Sequence, residues 1–207
     1  MKRLSVLLIL AIGFLCSRGY AQSELEPCDN EFSGEYYARV DRVIAEAVGQ
    51  RAQLKLTTIP SFEPESGVRL VGTDVYFVRF LNSLWAEATS FDEAGYGHTD
   101  YAKPKITTEV RHAPLAPGLA KRVEQVFLQS IANTKKSDDL RLDGVTYRFS
   151  ADQNSCGATW SPDPESHSGH LVGLVKLLER HAGLEVESDL RNSEKSISQA
   201  LDVMKSE

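Results

Sequence analysis

An α+β fold is predicted by three observations. Short segments with two-residue alternation, or rich in β-branched and aromatic residues, recur along the chain. Amphipathic helical stripes fall before, within and after them, without strict βαβ alternation. Near residues 144–161 two such segments lie close enough to form a hairpin. The expected architecture is one domain over residues 22–184, with a mostly antiparallel sheet of about five to six strands packed by three helices. A hydrophobic content of 42% is enough for a core of that size. Repeats, low-complexity tracts and heptad runs are absent from the sequence.

Taken in order, the first helix is expected over about residues 34–52, with Tyr37, Val40, Ile44, Ala47 and Val48 on one stripe. Residues 53–59 then read as a strand ending at Pro60, which cannot donate to a ladder. Residues 67–72 and 74–85 form two more, with Gly72, Thr73 and Asp74 as a tight turn between them. The second of these is apolar on both parities, the pattern of a central strand covered on both faces. Residues 105–113 alternate again. Pro117 opens a second helix, whose apolar face carries Leu119, Val123, Val126, Phe127 and Ile131.

The hairpin is the sharpest local signal. Val145, Tyr147 and Phe149 point one way and Thr146, Arg148 and Ser150 the other, with a return strand after a loop over residues 151–155. Trp160 is expected to pack beside Tyr147 and Phe149. Pro162 and Pro164 end the return strand, and Asp163, Ser166 or Ser168 can cap a third helix carrying Leu171, Leu174, Val175 and Leu178 inward. Residues 185–207 read as a polar, partly helical tail. Its Ile197, Leu201 and Met204 fit one short amphipathic helix, capped by Ser193 and loosely docked.

The N-terminus addresses the chain to an oxidising compartment. Lys2 and Arg3 precede an apolar run, and Gly19 and Ala21 are small residues before an expected cut after Ala21. Residues 1–21 are therefore read as a secretory signal peptide. The apolar run falls short of the roughly 20 residues a bilayer-spanning helix needs. A lipid-anchor reading at Cys16 is set aside because bulky Phe14 and Leu15 precede it. Cleavage removes three of the 23 basic residues and no acidic one, leaving 20 against 29 and a net charge of −9. That balance disfavours nucleic acid and anionic membrane surfaces as partners. Two cysteines remain, Cys28 and Cys156, and a lone pair in an exported protein is expected to form a disulfide. A reactive thiol at Cys156 is the competing reading; it would need an activating histidine and would strand Cys28.

Catalytic motifs do not stand out. The sequence holds no G-x-S-x-G elbow, H-E-x-x-H, P-loop or G-x-G-x-x-G, and the carboxylate pairs Asp138-Asp139 and Asp163 with Glu165 sit in polar stretches suited to solvation and capping. Histidines offer more. His98 stands two residues from Asp100, and His167 three from His170, spacings that can put two ligands on one side of a strand or one face of a helical turn. The segment SFDEAGYGHTDYAKP, residues 90–104, is long for a loop and mixes Tyr96, His98, Asp100 and Tyr101, the combination of aromatic surface and hydrogen-bonding groups used in recognition. SFEPESG, residues 61–67, is a second loop of the same kind.

The leading expectation is a non-catalytic envelope or secreted protein that contacts another protein through residues 90–104. It needs no cofactor and no metal. The alternative is a metal-dependent or hydrolytic enzyme using His98 and Asp100, with His112, His167 or His170. A purely structural accessory is a third reading. Residues 105–182 resemble the C-terminal half of a group of uncharacterised exported bacterial proteins through Gly144, Tyr147, Phe149, the Trp160-Ser161-Pro162 turn, and Leu171, Leu174 and Leu178. The resemblance implies a packing unit and brings no assigned activity.

Intact mass and N-terminal sequencing of the exported chain are expected to begin at Gln22; retention of residues 1–21 would contradict the signal-peptide reading.

Overall fold

The computed structural model describes residues 24–28, 34–136, 143–151 and 155–205. The expected signal peptide and the Asp138-Asp139 pair lie outside the described residues. Among these residues the elements run β1 (Glu26–Pro27), α1 (Gly34–Val48), β2 (Leu54–Pro60), β3 (Ser66–Val71), β4 (Asp74–Phe80), α2 (Leu84–Ala88), β5 (Thr89–Phe91), β6 (Gly97–Thr99), β7 (Thr108–Pro114), α3 (Pro117–Ala132), β8 (Val145–Ser150), β9 (Cys156–Trp160), α4 (His167–His181) and α5 (Glu187–Val203). Seven strands form one antiparallel sheet in the order β1-β9-β8-β2-β3-β4-β7, while β5 and β6 form a separate ribbon. The α+β expectation therefore holds, with more strands and helices than the sequence pattern suggested. The extra elements are those too short to show a period: β1, β5, β6 and the five-residue α2.

Side-chain alternation divides the sheet's two faces between two cores. Leu54, Leu56, Val68, Leu70, Val75, Tyr147 and Phe149 pack under α3, α4 and α5. On the other face Val78 and Phe80 meet Val40, Val43, Ile44 and Val48 of α1. β4 lies between β3 and the edge strand β7 and supplies apolar side chains to both faces; it ends at Phe80, and Leu84 and Trp85, expected in the strand, belong to α2. Pro60 closes β2 at its end, and Gly72 at φ 60° turns β3 into β4. The first helix stops at Val48, short of residue 52, because Gly49 takes φ 70° and donates to Ala45 O at 2.9 Å, a left-handed helix ending.

The hairpin of β8 and β9 is fastened as predicted. Cys28 and Cys156 form a disulfide with Cα atoms 5.5 Å apart across 128 residues of sequence, and β1 pairs with β9 beside it. Closing a loop of that length stabilises by roughly 2–5 kcal/mol. Trp160 corrects one expectation. It stands opposite Thr146 in the register, whereas Tyr147 stands opposite Thr159, so the indole lies on the face away from Tyr147 and Phe149. There it lies over Gly144, where an added Cβ would come 2.7 Å from the ring. Of the three candidate caps for α4, Ser166 acts: its Oγ accepts from Gly169 N–H at 3.1 Å.

The tail also differs from expectation. Residues 187–203 form a full helix that starts after Val186 rather than at Ser193, and Ile197 and Leu201 are completely buried with Met204 close behind. Arg122 of α3 reaches across to Ser198 Oγ at 2.8 Å and Asp202 Oδ1 at 2.6 Å. Spacing alone reveals an apolar stripe but not the surface that receives it. Among the described residues, no helix is long and apolar enough to cross a membrane.

Leu201→Ala is expected to cost about 2–5 kcal/mol in urea unfolding, the range for a buried leucine; a cost of a few tenths would restore the loosely docked tail.

Candidate functional site

The candidate site begins with a carboxylate that has left the water. Glu65, in the loop before β3, is fully buried and sits among the first residues of α2. Its Oε2 accepts Leu84 N–H at 2.9 Å, and its Oε1 accepts Tyr36 Oη–H at 2.5 Å. Trp85 N–H and Ser83 Oγ–H approach Oε1 at 3.4 Å each. Converging donors are what allow a buried carboxylate to remain paired without a cation. Burial, followed by the bond to Glu65, pushes the Tyr36 phenol far above its ordinary range. The result is a clamp joining α1, the β2–β3 loop and α2.

The ribbon grows directly from that clamp. α2 ends at Ala88 and β5 starts at Thr89. Asp92 organises the tip, its Oδ1 accepting Ala94 N–H at 3.0 Å and Tyr96 N–H at 2.9 Å, with Gly95 at φ 84°. These bonds, Tyr96 N–H foremost, hold the Asp92 acid below the usual carboxylate range. His98 Nε2 lies 3.3 Å from Asp92 Oδ2 across the ribbon. Phe91 pairs with Gly97, and its ring lies at ordinary contact distance, 3.4 Å, from where a Cβ at Gly97 would stand. Phe91 and Tyr96 nevertheless remain 73% and 71% exposed, and Phe62 of the β2–β3 loop is 81% exposed. Leu81 and Trp85 add exposed apolar surface at the same end of the sheet, where Phe80 N–H bonds Glu65 O at 2.9 Å.

The four predicted binding residues separate. Tyr96 and His98 lie on the ribbon, which replaces the long loop expected over residues 90–104. Asp100 does not pair with His98; its Oδ1 accepts Ala102 N–H at 3.0 Å and its Oδ2 meets Lys103 Nζ at 3.2 Å. Tyr101 turns back onto Tyr36, with ring centroids 5.2 Å apart, and belongs to the base of the ribbon. Phe62, Trp85, Phe91 and Asp92 were missed. The run Asp92-Glu93-Ala94-Gly95 between two short polar–aromatic segments was the available turn signal.

The remaining histidines disperse. His112 stacks on Tyr76 with centroids 5.1 Å apart, His181 is buried with Nε2 2.9 Å from Pro114 O, and His170 lines a recess beside Tyr147. His167 Nε2 lies 2.9 Å from Ser130 Oγ. That hydroxyl also lies 2.9 Å from Val126 O. The pair ties α3 to α4. Among the described residues, no three His, Cys, Asp or Glu side chains gather as a metal site requires.

The phenols Tyr36, Tyr101 and Tyr147 are all pushed up, burial leading in each case. Unfolded tyrosine ionises near pH 10, so above that the unfolded chain releases protons that the native chain keeps. Their stabilisation is thus full below about pH 10 and is lost as pH rises. Tyr36→Phe is expected to reduce the alkaline fall by about one proton, roughly 1.4 kcal/mol per pH unit, in urea titrations against wild type. The comparison isolates Tyr36 from Tyr101, Tyr147 and Arg69; an identical slope would contradict the clamp.

No protein-family model matches this chain, and neither a curated protein nor a solved structure is similar to it.

Proposed function

We propose that the chain is an exported, non-catalytic binding protein that engages another extracytoplasmic protein through the β5–β6 ribbon. The observation that carries this reading is the exposure of Phe91 and Tyr96 on a short ribbon whose base is clamped by Glu65. An aromatic side chain can bury roughly 150–250 Å², and apolar burial contributes about 25 cal/mol per Å². A ribbon ordered in advance keeps more of that gain, because little conformational entropy is lost on binding. Between residues 84 and 103 stand Glu87, Asp92, Glu93 and Asp100 against Lys103 alone. The partner chemistry that fits is an apolar cleft with a basic rim. Export is supported by the Cys28–Cys156 bond, which persists in an oxidising periplasmic or extracellular setting. The enzymatic alternative has less support, since Asp92 and Lys103 take the places that His98 and Asp100 would need for each other.

A photo-crosslinker placed at Tyr96 of the exported chain is expected to give a discrete protein adduct that the same probe at exposed Leu128 does not. Phe91→Ala with the Tyr96 probe is expected to reduce that adduct about tenfold or more, as loss of a hot spot of roughly 1.4 kcal/mol or above does. Equal adducts from both positions, or no effect of Phe91→Ala in a normally folded chain, would overturn the reading.

A further inference from the structure

On the opposite face of the sheet from the main core, three cations occupy adjacent strands beneath α1. Lys55 of β2 stands directly opposite Arg69 of β3, and Arg148 of β8 stands opposite Thr57. By alternation all three project to the α1 face. Like charges directly opposite are destabilising, and one carboxylate answers them. Asp41 of α1 accepts Arg69 Nη2 at 2.6 Å through Oδ1 and Lys55 Nζ at 2.9 Å through Oδ2. Arg69 is fully enclosed, with Nη1 bonded to Val68 O at 3.0 Å, Leu56 O at 3.2 Å and Thr57 Oγ1 at 3.3 Å. It holds Asp41 from below. Lys55 and Arg148 face a recess of about 510 Å³, lined also by Tyr37, Asp41, Thr57 and Ser150. Arg148 lies 4.1 Å from the centroid of the Tyr37 ring and forms no ion pair with a carboxylate among the described residues. Three cations against one anion is a local excess of positive charge in a chain whose net charge is −6.

We infer that this recess is a binding site for a small organic oxyanion, a carboxylate or a phosphate. Stacking on Tyr37, with a hydrogen bond to the same side chain, holds the Arg148 guanidinium in place, and its remaining N–H groups take ligand oxygens. Lys55, already steered by Asp41, supplies the second cationic contact, and the hydroxyls of Thr57 and Ser150 offer further donors. The Tyr37 ring gives the organic part of the ligand an apolar wall. Burial pulls the Arg148 pKa down from its ordinary value, against the opposing pull of Tyr37 and Asp41, as expected of a cation held partly out of water. The ribbon's base meets the same start of α1 through Tyr36, and the ribbon shares none of the residues that line this recess.

The test is thermal unfolding of the disulfide-bonded exported chain at matched ionic strength, with inorganic phosphate or succinate replacing chloride. A ligand that binds the native state raises Tm in a concentration-dependent way. Phosphate, succinate or both are expected to do so. Arg148→Gln is expected to weaken the apparent affinity about tenfold or more, as loss of charge-assisted hydrogen bonds does. Lys55→Gln, which leaves the Tyr37 stack in place, is expected to weaken it in the same direction. A response to phosphate alone identifies a phosphoryl site, and one to succinate alone a carboxylate site. No response beyond that of chloride, or equal responses in wild type and Lys55→Gln, would overturn the proposal.

Discussion

The ion pair between Arg69 and Asp41 determines how α1 lies on the sheet, and most of that face follows from it. Arg69 is placed by alternation on a strand covered on both sides, where a guanidinium has no access to water. Burial brings its pKa down to about 10, with Asp41 opposing, so it remains charged at neutral pH and its donors must be met. Carbonyls of Leu56 and Val68 and the hydroxyl of Thr57 take one terminal nitrogen and Asp41 the other, while the buried Nε has no hydrogen-bond partner among the described residues. Gly67 makes this possible: a Cβ there would come 2.9 Å from Ile44 Cδ1 and from Leu56 O, and 3.0 Å from Arg69 Nη1. The small residue, the buried cation and the helix register are one arrangement.

From that anchor two sides of the first half of α1 acquire different chemistry. Toward its start, Tyr37 and Asp41 overhang the cations of β2 and β8. Tyr36, one position away and turned to the other side, seals Glu65 against α2 and carries the base of the ribbon. Both features depend on charges that are buried or half-buried and satisfied by partners distant in sequence, such as Asp41 with Arg69 and Tyr36 with Glu65. Such groups are costly to strip of one partner. The opposite face is chiefly apolar packing of α3, α4 and α5, joined by the buried His181 against Pro114 O and by Arg122 with Asp202 and His167 with Ser130. One side of the sheet gives mass and stability, while the other presents the features that suit recognition.

Much of the scaffold was legible because its signals are local. Pro117 with an apolar stripe marked α3, and the alternation of Val145, Tyr147 and Phe149 marked β8. With Cys16 set in the expected signal peptide, Cys28 and Cys156 left one pairing to make. The ribbon was not legible as strands, since three residues complete barely one alternation. Trp160 was assigned to the wrong face because cross-strand register, not its own identity, decides which way it points. The stripe of Ile197, Leu201 and Met204 showed an apolar edge without showing the groove between α3 and α4 that receives it.

The burial of Glu65 and Arg69 is the clearest divide between the two levels. In sequence, SFEPESG reads as a second candidate recognition loop, and GVRLVG as a strand whose pattern does not single out its arginine. Periodicity assigns a face to each, yet it cannot say whether that face meets water or a helix. What the sequence by itself determined was the order and type of the longer elements and the covalent tie between them. What only the tertiary structure decided was which charges lose their water, because that depends on partners brought together from 28 or 29 residues away, Asp41 to Arg69 and Tyr36 to Glu65. The desolvation of a charge is a property of the assembled surroundings, and no window of residues contains it.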